Sequence, residues 1–289
     1  MVLTKGEWLR LEEKANELRN LTLKTTHWAG GGHIGGCFSA IDIMTALYYK
    51  YLNFDPKNPT APDRDRFIIS KGHIGLAIAS TFADLGLIDK EDLKGFNSTG
   101  SKLAVHLDSK KVPGLEVSTG SLGHGSCIAL GIALAGRIQN KRYKTFVMLG
   151  DGECNEGSVW EAAMATANYN VTDLITIVDR NHNMIDGNTE DVMKLEPFAD
   201  KWKSFGFDVK VINGHRFDEI CEAIEYALNA KDKPVCIIAD TVKGAGVEFM
   251  EGNYKWHYGV VDDEKLAACE ESLKKYYETR KSVAEKEGK

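Results

Sequence analysis

The chain has 289 residues, 43% of them hydrophobic, which is enough to bury a sizeable core in one large domain or two tightly joined ones. A net charge of −6 and a pI near 5.8 leave no basic footprint for nucleic acid. No stretch reaches the roughly 18 apolar residues of a membrane span, and the start "MVLTKGEWLRLEEKANELRN" lacks the apolar centre of a signal peptide, so a cytoplasmic protein is expected.

Along the chain, apolar residues recur at helical spacing in "LEEKANELRNLTLKTTHWA" (11–29) and "FSAIDIMTALYYKYL" (38–52), which predicts two helices. The short β-branched run "RFIIS" (66–70) reads as a strand, and "CIALGIALAGRIQNK" (127–141) as an Ala- and Gly-rich helix suited to close packing. Then come a strand at "KTFVMLG" (144–150), a helix over about Glu156–Tyr169, a strand at "LITIVD" (174–179) and a helix around Phe198–Phe205. A strand at "FDVKVIN" (207–213), a helix over about Phe217–Leu228 and a strand at "PVCIIAD" (234–240) follow, and Asp262–Lys289 reads as one amphipathic helix that frays into charge. This alternation predicts an α/β fold of three layers, α/β/α, around a mostly parallel sheet. The strands are continuous apolar runs, as strands covered on both faces are. With no internal repeat and no Pro/Gly/Ser linker, 1–289 is expected to be a single domain.

In such sheets ligands bind beyond the carboxyl ends of the strands. Gly150, Asp151 and Gly152 lie at one such end, and Asp179 to Asn183 at the next. The intervening helix returns the chain, so adjacent parallel strands place Asp151 and Asn181 at one edge. An oxygen-only pair suits a hard cation such as Mg²⁺, which keeps phosphate oxygens and water as further ligands, and the glycines let the backbone approach a phosphate closely. A lone G-D-G is more often a structural turn; its partnered Asn points instead to a diphosphate and metal site.

Of the eight histidines, four stand in glycine-bearing contexts: His33 in "GGGHIGG", on what reads as a flexible, exposed loop, His73 after a strand in "IISKGHIG", and His106 and His257 on the loops "AVHLDSKKVPG" and "NYKWHYG". Histidine is the side chain best placed for proton transfer near neutral pH, although any one of them alone reads as a structural or surface residue. The six cysteines form no C-x-x-C pair and read as buried free thiols.

Together these segments resemble the transketolases, which depend on thiamin diphosphate. "GDG" at a strand end with "VDRNHNMIDG" thirty residues on resembles the family's cofactor motif, and "PGLEVSTGSLGHG" (113–125) its P-G-x-E-x-x-T-G-x-L-G-x-G segment. The four histidine contexts match in chain order, and the likeness runs from about residue 10 to about residue 260. The resemblance implies Mg²⁺, or Ca²⁺ or Mn²⁺ in its place, on Asp151, Asn181 and the main-chain carbonyl of Asn183. It implies a cofactor site built from His73, Gly120, Leu122, Gly150, Asp151, Gly152, Glu156, Asn181 and His257. His73 and His257 would lie at the diphosphate and reaction centre, His33 and His106 at the sugar. Glu156 and Glu161 match acids at a subunit interface near the cofactor; plain acids stabilised at a helix N-terminus are the alternative. The sequence departs from the pattern at Ile34, Ser121, His124, Arg180 and His182, none of them an implied ligand, which leaves substrate identity open.

Transketolases are usually much longer, with a second half that supplies a pyrimidine-binding domain. No motif of that domain is present, so the chain resembles the N-terminal subunit of a split transketolase. The implied activity is transfer of a two-carbon ketol unit from a ketose or ketose phosphate to an aldose or aldose phosphate, with a C-terminal partner subunit in an α₂β₂ assembly. Another thiamin-diphosphate enzyme subunit, of the deoxyxylulose phosphate synthase or α-ketoacid dehydrogenase kind, is the alternative the four histidine contexts oppose. A non-catalytic cofactor-binding paralogue is opposed by the histidines together with Asp151 and Asn181. An NAD enzyme is opposed by the absence of G-x-G-x-x-G after a strand.

Overall fold

The computed structural model describes residues 3–288; Lys289, at the end of the predicted tail helix, lies outside them. Five strands form one wholly parallel sheet: β1 (Arg66–Ile69), β2 (Thr145–Gly150), β3 (Leu174–Arg180), β4 (Asp208–Asn213) and β5 (Val235–Asp240), in the order β1-β2-β3-β5-β4. Ile69, Met148, Ile177, Ile237 and Lys210 lie side by side across it, so the strands finish nearly level and their carboxyl ends share one edge.

Alternate residues feed two cores, as the twofold period of a strand requires. Ile69, Phe146, Met148, Ile175, Ile177 and Ile237 join one core with α1 (Lys5–Trp28), α2 (Ile34–Ala46), α3 (Gly75–Asp84), α8 (Phe217–Leu228) and α9 (Asp263–Glu287). Ile68, Val147, Leu149, Val178, Cys236 and Ile238 join the other with α4 (His124–Ile138), α5 (Gly157–Asn168) and α7 (Phe198–Ser204). A single turn, α6 (Thr189–Val192), follows β3. The expected three-layer α/β/α arrangement is what the chain forms.

Three local readings need correction, and one helix went unread. β4 is not covered on both faces: it is one of the two edge strands, and Val211 is 61% exposed there. Cys127 is exposed on α4, whereas the other five cysteines are buried free thiols. The second predicted helix begins earlier, at Ile34, and is buried all round; a π turn over Leu47–Tyr51 closes it. The helix α3 carries no spacing signal of its own, because all but its last residue is buried.

The first core also holds buried charge. Arg19 grips Asp42 through both terminal nitrogens at 2.9 and 2.6 Å, Arg280 reaches the same carboxylate at 3.3 and 3.2 Å, and His215 Nδ1 lies 2.8 Å from it. Burial alone would raise the pKa of Asp42, but Arg19, Arg280 and His215 together hold it well below the usual carboxylate range. The cluster ties α1, α2 and α9 to the turn after β4. Such buried pairs add little net stability because desolvation offsets their attraction, so their effect is on geometry.

Candidate active site

At the shared carboxyl edge the loops after β1, β2, β3 and β5, together with the start of α2, enclose a cleft of about 380 Å³. Each loop leaves its strand where the apolar run meets Gly or a polar residue, and the level register brings these exits together. The cleft is lined by His33, His73, His106 and His257, by Gly120 and Leu122, by Gly150, Asp151, Gly152 and Glu156, and by Asn181 and Asn183. Of the residues singled out in the sequence, Glu161 alone is elsewhere, exposed on α5.

Asp151 and Asn181 follow the paired ends of β2 and β3, where Gly150 lies beside Asp179. The Asp151 carboxylate accepts the Gly152 N–H at 2.7 Å and the His182 N–H at 2.6 Å, which fixes its orientation. Arg180 approaches the same group at 3.3 Å from behind. His182 has φ +63°, the left-handed region that favours glycine. Burial, then neighbouring Asp179, push the Asp151 pKa up, so the site penalises a bare carboxylate and favours a cation beside it. Asn181 accepts the Asn183 N–H at 3.2 Å, and the buried side-chain oxygen of Asn183 has no partner. Among the described residues no cluster of three His, Cys, Asp or Glu side chains offers a different metal site. This donor set of one carboxylate, amides and main chain fits a hard, oxygen-seeking cation.

Two buried lysines face the same edge, and the sequence pattern does not single them out. Lys71, 1% exposed, pairs with Asp179, which also accepts from Thr241 and from Ser39. Burial opposes ionisation of Asp179, but Lys71 and these hydroxyls hold its pKa below the ordinary value. Lys243, 2% exposed, makes no ion pair with any described residue; its Nζ lies 3.0 Å from His257 Nδ1. Burial, then Lys71, lower its pKa to about 8. An anion seated between them would relieve both effects, so the cleft fits a metal-bound diphosphate.

Three histidines converge above this edge. The rings of His33, His73 and His257 stand 5.2–5.3 Å apart pairwise. His33 is not the exposed loop residue its context suggests: it stands at the N-terminus of α2, partly buried, with Nδ1 fully enclosed and unpartnered. His257 ends a short 3₁₀ turn, Tyr254–His257, rather than an open loop. Burial is the first cause of a lowered pKa in all three, to about 4 for His33, to about 3 for His257 and well below the usual value for His73; neighbouring lysines and histidines add to it. All three imidazoles are therefore neutral at neutral pH. Lys243 as an ammonium donates to His257 Nδ1, which places the His257 proton on Nε2. His106 is exposed at the rim beside Gly120, where an added Cβ would come within 3.0 Å of its ring.

The transketolase, thiamine diphosphate binding domain family matches residues 11–285. The chain belongs to this family. It is 39% identical over 265 residues to the 6-deoxy-6-sulfo-D-fructose transketolase subunit SqwG of Clostridium sp. (strain MSTE9), covering 92% of this chain and 96% of that protein. It is 41% identical over 254 residues to an apulose-4-phosphate transketolase subunit of Phocaeicola vulgatus, covering 88% and 89%. Among solved structures, a transketolase from Campylobacter jejuni superposes with a TM-score of 0.85 at 32% identity, over 95% of this chain and 46% of that one. The chain thus spans about half the length of the solved transketolases it matches, and nearly the whole length of the separate subunits. It is a transketolase-type transferase subunit of the split kind.

In this subunit the floor of the cleft is formed by the ends of β2 and β3, and its walls by the segments bearing His33, His73, His106 and His257. Glu153, which sequence reasoning missed, joins them. It is buried and accepts the Gly123 N–H at 2.8 Å, the Gly150 N–H at 2.9 Å and the Ser70 hydroxyl. Burial raises its pKa above the usual value. One acid so placed sets the relative position of β1, β2 and the start of α4. No described helix is long and apolar enough to cross a membrane.

Proposed function

We propose that this chain is the N-terminal subunit of a two-chain transketolase that binds thiamin diphosphate with Mg²⁺, or with Ca²⁺ or Mn²⁺, and moves a two-carbon ketol unit from a ketose or its phosphate to an aldose or its phosphate. What carries the reading is the convergence of three neutral histidines, 5.2–5.3 Å apart, on the edge that holds Asp151 and Asn181. In it, Asp151, Asn181 and the carbonyl of Asn183 hold the metal; Gly120, Leu122, Gly150, Gly152 and Glu156 border the cofactor; and Lys71 and Lys243 balance the diphosphate charge. When bound, thiamin diphosphate supplies the nucleophilic carbon and electron sink for breaking and remaking a carbon–carbon bond beside a carbonyl.

The chain's own residues bind, orient and move protons. His257, protonated on Nε2, donates from that atom and can take the proton back. His33 and His73 are neutral and can act as acceptors or donors toward sugar oxygens within the cleft, the role for which an imidazole near neutral pH is suited. His106, at the rim, meets the more distant hydroxyls. Glu156 and Glu161 face a subunit contact.

The whole of 1–289 then acts as one diphosphate-binding domain, and the pyrimidine end of the cofactor is received by a C-terminal partner chain. The assembly is an α₂β₂ heterotetramer in the cytoplasm, with neither nucleic acid nor membrane involved. Closed twofold symmetry is the commonest oligomer solution. The test is reconstitution: the purified chain alone gives no two-carbon transfer, and mixing with the partner restores it and yields a heterotetramer by light scattering. Full activity from the isolated chain overturns the two-chain reading.

A further inference from the structure

Lys243 is the buried cation closest to the histidine cluster, and its segment is fastened residue by residue. The Thr241 N–H donates to the Arg180 carbonyl at 3.0 Å, the Gly252 N–H to the Lys243 carbonyl at 2.9 Å, and the Gly244 N–H to the Gly35 carbonyl at 3.0 Å. The Val242 amide, by contrast, donates 2.9 Å to a side chain, His215 Nε2. A ring nitrogen that accepts carries no proton, so the proton of His215 is on Nδ1, which donates 2.8 Å to Asp42. Asp42 in turn is gripped by Arg19 and touched by Arg280.

Val242 lies at the surface, 39% exposed, yet its amide is taken by a side chain from another part of the fold. What His215 adds is direction. A carboxylate bonded to one imidazole nitrogen fixes both the ring orientation and the tautomer. Here that fixed ring holds the backbone one residue before Lys243, whose Nζ is 3.0 Å from His257 Nδ1.

We infer that His215 is a positioning residue for the transfer reaction: Asp42 holds it in the Nδ1–H form, and through the Val242 amide it sets the place of Lys243 beside His257. It touches neither cofactor nor substrate. The inference that this placement matters for turnover rests on the function proposed above; the placement itself does not.

Two substitutions separate the contacts. In His215→Asn the amide nitrogen can still reach Asp42, but nothing reaches Val242. In His215→Gln the side-chain oxygen reaches the Nε2 position. The full chain with its partner is assayed, and the full chain is examined by NMR with ¹⁵N-labelled histidine and lysine. The expected results are an Nδ1–H pattern for His215 in the wild type, a moved Lys243 Nζ resonance in His215→Asn, and kcat lowered at least tenfold there, with Tm changed by no more than about 3 °C. His215→Gln recovers most of the kcat and the wild-type Lys243 resonance. An Nε2–H pattern in the wild type overturns the inference and needs no variant. So does an unmoved Lys243 resonance with unchanged kcat in His215→Asn. If the wild-type pair transfers no ketol unit, the function reading falls, and the two spectroscopic results still decide how Lys243 is held.

Discussion

Gly32 and Gly259 exchange both backbone hydrogen bonds, each 2.9 Å, and so clip the loop bearing His33 to the loop bearing His257. The approach depends on glycine. A Cβ on Gly259 would lie 2.3 Å from the Trp256 ring, and one on Gly35 would lie 2.5 Å from the Trp256 carbonyl. Gly259→Ala is expected to push the two histidines apart and lower kcat/KM tenfold or more, or about 1.4 kcal/mol of transition-state stabilisation. Cofactor affinity should change less than threefold, because the proposed metal site lies on the ends of β2 and β3, away from the clip. Gly6→Ala in α1, where an added Cβ meets nothing within 4 Å, is the control and should be neutral or slightly stabilising. Equal kinetics for Gly259→Ala and wild type contradict the clip's role.

Asp151→Ala removes the one charged donor of the proposed metal site. Titration calorimetry with thiamin diphosphate and Mg²⁺, in the presence of the partner, should give an affinity more than tenfold weaker, at least about 1.4 kcal/mol. The fold should survive, because Arg180 keeps Thr189 at 2.6 Å, Glu190 at 3.0 Å and Glu196 at 3.1 Å once Asp151 is gone. Unchanged affinity sinks the assignment of Asp151 as a ligand.

The parts of the site legible in the sequence share one property: they sit where a strong local signal stops. Asp151 and Asn181 end apolar runs, and the histidines stand among glycines, so position along a β-α unit already implies the edge they share. Lys71 and Lys243 had no such mark. One lies between Ser70 and Gly72 and the other before Gly244, contexts in which a lysine reads as solvated. Their burial depends on α2 and the Trp256 turn folding over them, contacts far apart in sequence. Glu153 reads as one acid among several, and its role needs Gly123 and Ser70 brought to it from other elements. The exposure of β4 was legible and passed over: "DVKVIN" alternates Asp208 and Lys210 with Val209 and Val211, the pattern of a half-exposed strand, and what the pattern does not give is the crossover that leaves β4 outermost beyond β5.

Glu153 gives a stability prediction. Glu153→Ala leaves the Gly123 and Gly150 amides and the Ser70 hydroxyl without their acceptor. Of these three donors the partly buried Gly150 amide can find water, and the other two left unsatisfied should destabilise the chain by about 2–4 kcal/mol. Glu153→Gln keeps an oxygen in place and should lose less than half as much. Denaturant unfolding measures both, and equal losses for the two variants show that the carboxylate's charge, not its acceptor capacity, matters.

The buried histidines predict the acid limb of the stability curve. In the unfolded chain an imidazole titrates near 6.5; in the folded chain His33 does so at about 4 and His257 at about 3. Between these values the unfolded state binds more protons, so stability falls as pH falls. The loss begins near pH 6.5, and it is complete only below about 4 for His33 and about 3 for His257. Above pH 6.5 both states are neutral and these residues contribute no slope. The double variant His33→Asn, His257→Asn should therefore show a flatter Tm profile between pH 6.5 and 4.5, the wild type losing on the order of 5 °C more over that interval. His73, whose pKa these two rings help to lower, is released in part in the variant, which flattens the profile in the same direction. The same variant, assayed with the partner at pH 7.5, should lose kcat/KM by roughly 10²-fold or more, the scale of a missing proton-transfer group. Parallel Tm profiles would mean that these histidines are hydrated and titrate normally, and a variant that unfolds at pH 7.5 would make them structural residues rather than participants in proton transfer.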